Sequence, residues 1–301
     1  MEKYSTWRDN GTGISPFLPI TNTPLNNNDI GLMKKLLIFL KAFGKAIVLI
    51  PFLLIYQVLP FTFILKLIFQ ILTRLKLNVM VEGVKRSKID INLHYPQKGQ
   101  IYFVNYTTPL DFLFLEYLRT DSNDKYMVLI SYSKDEFLQI NNWWTFCLFT
   151  LVTAGVLSKE VLENNGFKKL RVDKTFFKII KDKIVFIFPE GTTSNGKTVL
   201  PLRMDIKNFE KHCTVVVNTI NIKILPSYLT IPLPYGDNTN KYWGRLLITD
   251  QVTVKIKITP NIKNLDNVRM YMNNDDKYKL VGEELNIESK EKFIKAYKGK
   301  I

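Results

Sequence analysis

Two short stretches put polar side chains that could do chemistry where apolar runs end. The first, IVFIFPEGTTSNGK (Ile184–Lys197), is a run of five apolar residues that stops at Pro189 and turns polar at once. Glu190 supplies two acceptor oxygens, Gly191 permits close approach of backbone to a ligand, and Thr192, Thr193, Ser194 and Asn195 supply donors. The second, VNYTTPLDF (Val104–Phe112), sets Asn105, Tyr106 and Asp111 behind another apolar run. Either stretch alone reads as a capped turn, because Thr, Ser, Asn and Gly are favoured in turns for local reasons. As a pair they fit the carboxyl ends of strands in an α/β sheet, where loops open onto a crevice. A nest of this composition suits a polyol or a phosphate ester.

The surrounding sequence supplies the elements to hold such loops. GQIYFVNY (99–106), YMVLIS (126–131), KIVFIF (183–188), TVVVNTINIKIL (214–225) and QVTVKIKI (251–258) are rich in β-branched and aromatic residues and predict strands. Between them PLDFLFLEYLR (109–119) and NGFKKLRVDKTFFKIIKDK (165–183) predict helices, the latter amphipathic and strongly basic. The alternation gives the fold class α/β. WWTFCLFTLVTAGVL (143–157) is too short to span a bilayer and predicts a buried helix, with Trp143 and Trp144 able to sit at a lipid interface. ESKEKFIKAYKGK (288–300) predicts a solvent-facing helix.

The first thirty residues are polar and show no secretory signal. From Leu36 to Leu72 Lys41, Lys45 and Lys66 are the only charges in an apolar run. At ~1.5 Å per residue its uncharged part, Ala46 to Leu65, just reaches across a ~30 Å hydrocarbon layer. Pro51 and Pro60 predict a bent pair of helices instead of one straight rod. Basic residues flank both ends, Lys34 and Lys35 before, Arg74 and Lys76 after, so both ends belong on the cytosolic side, as in a hairpin dipping into one leaflet. The alternative is the buried core helix of a soluble protein. The expected organisation is a polar segment over 1–30, membrane-associating helices over 31–76, an α/β domain over 77–274 and a helical tail over 275–301.

A net charge of +15 on 301 residues implies an acidic partner, which charge alone does not choose. Nucleic acid lacks any recognised motif here and would leave the apolar hairpin unexplained. Cys147 and Cys213 have neither metal nor disulfide spacing, and His94 and His212 are the only histidines, so no metal is expected and a reducing, cytosol-facing setting is.

FPEGTTSNG (188–196) closely resembles the FPEGT block of the glycerolipid acyltransferase superfamily, which includes the lysophosphatidic acid acyltransferases. In that family an upstream NH-x4-D block supplies a catalytic His and Asp; Asn105, Tyr106 and Asp111 occupy those positions with the same spacing. The order of the blocks, and an apolar segment before both, also agree. EKYSTWRDNGTGISPFLP (2–19) and DDKYKLVGEELNIESK (275–290) are similar to fungal members of lipid droplets and endoplasmic reticulum.

The resemblance implies a mixed sheet flanked by helices, with acyl transfer from acyl-CoA as co-substrate to lysophosphatidic acid or a related lysophospholipid. No prosthetic group and no covalent enzyme intermediate are implied, and the setting would be the cytosolic face of the endoplasmic reticulum membrane and lipid droplet. By position Asp111 would orient a base, Glu190, Gly191, Thr192 and Thr193 would organise the acceptor site with Asn105, and Lys197 and Arg203 would contact phosphate. Tyr106 departs from the pattern, since a phenol with a pKa near ~10 is a poor base at neutral pH. His94 or His212 could be recruited in space. The family's second block is met at best by GVLSKE (155–160), with Lys159 as its cation, and the fourth has no clear counterpart in TVVVNTINIKIL. The alternative function is a catalytically impaired relative that binds lysolipid or acyl-CoA at the membrane.

Overall fold

The computed structural model describes residues 4–20, 32–121, 124–156, 167–274 and 276–298. Among these described residues, eight strands form one sheet: β1 Lys76–Val81, β2 Ile101–Val104, β3 Tyr126–Ser131, β4 Glu136–Ile140, β5 Lys168–Arg171, β6 Ile184–Phe188, β7 Val217–Leu225 and β8 Thr253–Thr259, in the order β1-β8-β7-β2-β6-β3-β4-β5. The central run β7-β2-β6-β3 is parallel, and antiparallel pairs β7-β8 and β3-β4-β5 flank it. The sheet is therefore mixed. β2 and β6 are buried on both faces, which is why they read as unbroken apolar runs instead of alternating ones.

Side chains of the central strands alternate between two cores. Tyr102, Val104, Phe186 and Phe188 pack with Phe112 of α4 (Asp111–Tyr117), Phe146 of α5 (Trp143–Thr153) and Tyr242 of α8 (Asn240–Ile248). Ile101, Phe103, Val185 and Ile187 point the other way, onto α6 (Lys174–Ile179), α7 (Ile206–His212) and α9 (Val268–Met272). A short α3 (Ile91–His94) leads towards β2.

The long basic helix expected over 165–183 does not form. Its described part is β5 followed by α6, and Asp173 caps α6 by accepting from the Phe176 amide at 2.7 Å. KKLR makes an edge strand against β4 with only Leu170 buried, and outward lysines at a sheet edge discourage further pairing. Residues 157–166, which include Lys159 of the proposed second block, lie outside the described residues.

The apolar run forms two helices, α1 (Leu32–Val58) and α2 (Thr62–Thr73). Helix α1 continues through Pro51, and the break falls at Leu59–Phe61 around Pro60. Leu36–Val58 is long and apolar enough to cross a membrane. Yet α1 is fastened to the α/β domain at two levels. The Lys45 ammonium donates to the carbonyls of Leu72, Leu247 and Thr249 at 2.9–3.0 Å, and the Tyr56 hydroxyl donates to the Glu116 carboxylate. Leu49 and Tyr56 of this stripe are buried, whereas Phe39, Phe43, Ile47, Ile50 and Leu54 are exposed on the remaining surface. The side chains of Lys34 and Lys35 lie outside the described residues.

The two ends of the chain meet. Helix α10 (Ile287–Lys298) is not a solvated rod: Phe293 is fully buried among the rings of Tyr4, Trp7, Phe17 and Tyr297. The Trp7 indole donates to Ser289 O at 3.1 Å, and Asp9 accepts from the Gly282 amide at 2.8 Å. The polar opening segment thus carries the aromatic partners that the tail needs.

Candidate active site

β2 and β6 are adjacent and parallel, so the segments leaving their carboxyl ends emerge side by side. Glu190 joins them. Its Oε1 accepts from the Tyr106 amide at 2.8 Å and its Oε2 from the Leu200 amide at 2.6 Å. Asp111 opens α4, and its Oδ2 accepts from the amides of Thr107 at 2.8 Å and Thr108 at 2.9 Å. Two carboxylates therefore grip consecutive amides of one turn. Ser194 N donates to Tyr106 O at 3.0 Å, closing the loops on each other.

Burial raises both acids, Asp111 to about 7 and Glu190 to about 8. The amide bonds oppose the shift in each case, and the charges of Arg269 and Lys290 oppose it at Glu190.

Tyr106 presents its backbone to this turn and its side chain to the core. The ring lies 4.9 Å from Phe188 and 5.4 Å from Phe146 between centroids, and the residue is fully buried. Its hydroxyl is 2.5 Å from Thr150 Oγ1. Thr150 already donates its proton to Phe146 O at 2.7 Å, so the phenol must be the donor. Burial holds its pKa well above the ordinary phenol value. Neither histidine can stand in. His94 sits near Gln100, before β2 begins, and His212 ends α7 before β7, whose Val217 pairs with Ile101. Both lie at the amino ends of the central strands, across the sheet from the motif loops.

The remaining candidates separate. Asn105 commits both ends of its amide to Ile222, donating to its O at 2.9 Å and accepting from its N at 2.6 Å, which extends the β2–β7 ladder. Thr192 Oγ1 donates to Ala154 O at 2.8 Å, and the Thr193 hydroxyl donates to Ile231 O. Gly155, with φ +79°, lets the end of α5 meet this loop, since a Cβ there would stand 2.6 Å from Thr192 Cα. Asn195 donates to Ser15 O at 2.8 Å and Leu18 O at 3.1 Å, so the N-terminal segment closes over the loop. Lys197 is exposed at the rim. Arg203 packs against Gly191 and lies over the Tyr132 ring at 5.1 Å, with Nη1 buried and without a hydrogen-bond partner among the described residues.

One residue at the site went unread in the sequence. Lys290 of α10 is fully buried, and its ammonium donates to Thr193 O at 2.6 Å, Thr192 Oγ1 at 2.8 Å and Ala154 O at 3.0 Å. Burial pushes its pKa well below the usual lysine value, against the pull of Glu190. The signal was its position: Lys290 falls at helical spacing between Ile287 and Phe293, on the apolar stripe of its helix.

A family model described as Acyltransferase matches residues 83–228. The chain is 30% identical over 319 residues to lysophosphatidic acid:oleoyl-CoA acyltransferase 1 of Saccharomyces cerevisiae, covering 99% of this chain and 97% of that protein. It is 26% identical over 251 residues to a putative lysophosphatidic acid:oleoyl-CoA acyltransferase of Schizosaccharomyces pombe, covering 78% and 77% of the two chains. Among solved structures, the lysophosphatidic acid acyltransferase PlsC of Thermotoga maritima aligns with a TM-score of 0.37 at 19% identity, over 87% of this chain and 96% of that one. The family match spans both loops that Glu190 joins, the identity to the budding-yeast protein runs nearly end to end, and the chain belongs to the acyltransferase family.

Proposed function

We propose that this protein transfers an acyl group from acyl-CoA to the free hydroxyl of lysophosphatidic acid, forming phosphatidic acid. The observation that carries the reading is the junction of the two motif loops through Glu190, in a chain similar over nearly its whole length to a protein named for that reaction. The lysolipid hydroxyl oxygen attacks the thioester carbonyl carbon, the carbon–sulfur bond breaks, and the hydroxyl proton ends on the departing CoA sulfur. With the phenol of Tyr106 turned into the core, no histidine assists. General-base help is worth typically ~10²–10⁴-fold, so the rate rests on positioning and on a good thiolate leaving group.

In this mechanism Asp111 holds the Thr107–Thr108 turn, and Glu190 fixes that turn against the loop carrying Gly191, Thr192 and Thr193. Arg203, whose Nη1 has no hydrogen-bond partner among the described residues, and Lys197 are cations beside the motif loop. Helix α1 fits a monotopic seat. Two fastenings eleven residues apart, Lys45 and Tyr56, hold it along the domain, which leaves its apolar stripe to enter one leaflet of the endoplasmic reticulum or the surface of a lipid droplet. The relative matched nearly end to end is named an acyltransferase, so an impaired lipid binder is not favoured.

The test is Glu190→Ala in purified protein with oleoyl-CoA and lysophosphatidic acid. Diacyl product from the native protein and its loss in a folded variant are expected; equal product from both would remove the glutamate junction from the mechanism.

A further inference from the structure

A cleft of about 430 Å³ opens between the N-terminal segment, the stretch Ile231–Tyr235, α8 and α10. Ile20, Ile231, Leu233 and Ile294 make its wall apolar, while Lys241 and Arg245 supply its charge and no carboxylate among the described residues lines it. The two cations stand one helical turn apart on α8. The Arg245 guanidinium is steadied by donating to the Tyr235 hydroxyl at 2.8 Å, and neither cation has a carboxylate within ion-pair distance among the described residues.

Helix α8 ties this cleft to everything the reaction needs. On one face Tyr242 brings its hydroxyl to 3.0 Å from Thr108 Oγ1, beside Asp111. On another, Trp243 stacks on the half-exposed Trp144 with ring centroids 6.2 Å apart, and Lys45 of α1 caps the Leu247 carbonyl. The cleft wall touches both motif loops as well: the Ile231 amide donates to Thr107 O at 2.8 Å, and Ile231 O accepts from the Thr193 hydroxyl. A molecule in the cleft therefore lies against a wall that touches both motif loops, on a helix that also contacts α1.

We infer that the cleft seats a phosphate-bearing, single-chain amphiphile, with its phosphate on Lys241 and Arg245 and its chain along the apolar wall. The inference rests on the acyl-transfer reading, which supplies two molecules of this chemistry, the lysophospholipid and the acyl-CoA. Two cations on one face at helical spacing suit a phosphate oxygen set, and no carboxylate among the described residues lines the cleft beside them.

The experiment uses the full chain in detergent and the double variant Lys241→Gln/Arg245→Gln, its fold checked by circular dichroism and urea unfolding. Equilibrium binding is measured for a short-chain lysophosphatidic acid, for the monoacylglycerol that lacks its phosphate, and for a short-chain acyl-CoA. The native protein should prefer the phosphorylated lipid or bind the acyl-CoA. The variant should lose roughly tenfold or more in affinity for one of these two, with a matching rise in that substrate's KM and an unchanged kcat. Which of the two weakens identifies the source of the phosphate. Unchanged affinities for both, or a fall in kcat alone, would overturn the assignment. Phosphate-dependent binding without any acyl transfer would retire the enzymatic reading and keep the cleft; transfer with no effect of the double variant would retire the cleft alone.

Discussion

Removing the hydroxyl of Tyr106 separates chemistry from packing. In Tyr106→Phe one buried hydrogen bond is lost, that between the phenol and Thr150 Oγ1, while Thr150 keeps its own bond to Phe146 O. No donor is left stranded, so the loss is the net value of one hydrogen bond, ~0.5–1.5 kcal/mol. The ring still fills its place against Phe146 and Phe188. If the phenol took the substrate's proton, the same change would cost the ~10²–10⁴-fold of general-base assistance. These magnitudes do not overlap. Transfer of labelled oleate to lysophosphatidic acid should therefore stay within a few-fold of native, with a small drop in the urea midpoint. A loss beyond a hundredfold in a variant of near-native stability would refute the inward placement. Tyr106→His extends the test, because an imidazole at this site would enter an aromatic cage and leave part of the phenol's volume empty. It should destabilise by ~2–4 kcal/mol and gain no activity. A sharp gain would mean that the side chain reaches the substrate after all.

Lys290→Met strips the ammonium from Thr193 O and withdraws one of the two positive charges, with Arg269, that act on Glu190. Relief of lysine desolvation offsets part of the ~3–5 kcal/mol expected for breaking a buried charge arrangement, leaving a net loss of about 2–4 kcal/mol by urea unfolding and a fall in transfer that Lys290→Arg does not restore. An unchanged midpoint with native activity would show that α10 does not hold the loop. Stability should also depend on pH with a definite sign. Asp111 and Glu190 have folded values raised to about 7 and about 8, so the native state keeps protons that the unfolded chain releases. Their contribution is full below pH ~4 and is lost as pH rises through about 8. Asp111→Asn should flatten part of this slope, since the amide oxygen still accepts from Thr107 and Thr108; a slope identical to native would contradict the burial of Asp111.

The sheet's centre was legible because both-sided burial writes itself as IVFIF and IYFV, and because polar residues crowd at the ends of those runs. The edges were not. β4 (EFLQI) and β5 (KKLR) draw their identity from pairing with a neighbour, and a basic amphipathic pattern over 165–183 reads as helix until β4 is there to receive it. The termini were illegible for a related reason. Phe293 and Lys290 look like members of a charged surface helix, and partners far away in sequence turn that stripe inward, residues 4–17 and Leu200 for Phe293 and the Thr192–Thr193 loop for Lys290. Helix α8 is less legible too: NKYWGRLLI is only nine residues long, and its apolar face, Tyr242, Trp243, Leu246 and Leu247, is interrupted in sequence by Gly244 and Arg245.

The same distinction explains how position 106 can differ from the family pattern without disturbing the loops. What Glu190 takes from this position is an amide proton, which any residue other than proline supplies, and what Ser194 takes is a carbonyl oxygen. The turn is held by main chain and by the two carboxylates, while the side chain at 106 packs into the core with Phe146, Phe188 and Thr150. A large aromatic there adds to the core, and a charged or hydrated base would have to be drawn out of it. The geometry of the two motif loops is thus kept whichever side chain stands at position 106. Glu190 and Asp111 hold the turn, and Lys290 holds the facing loop from behind.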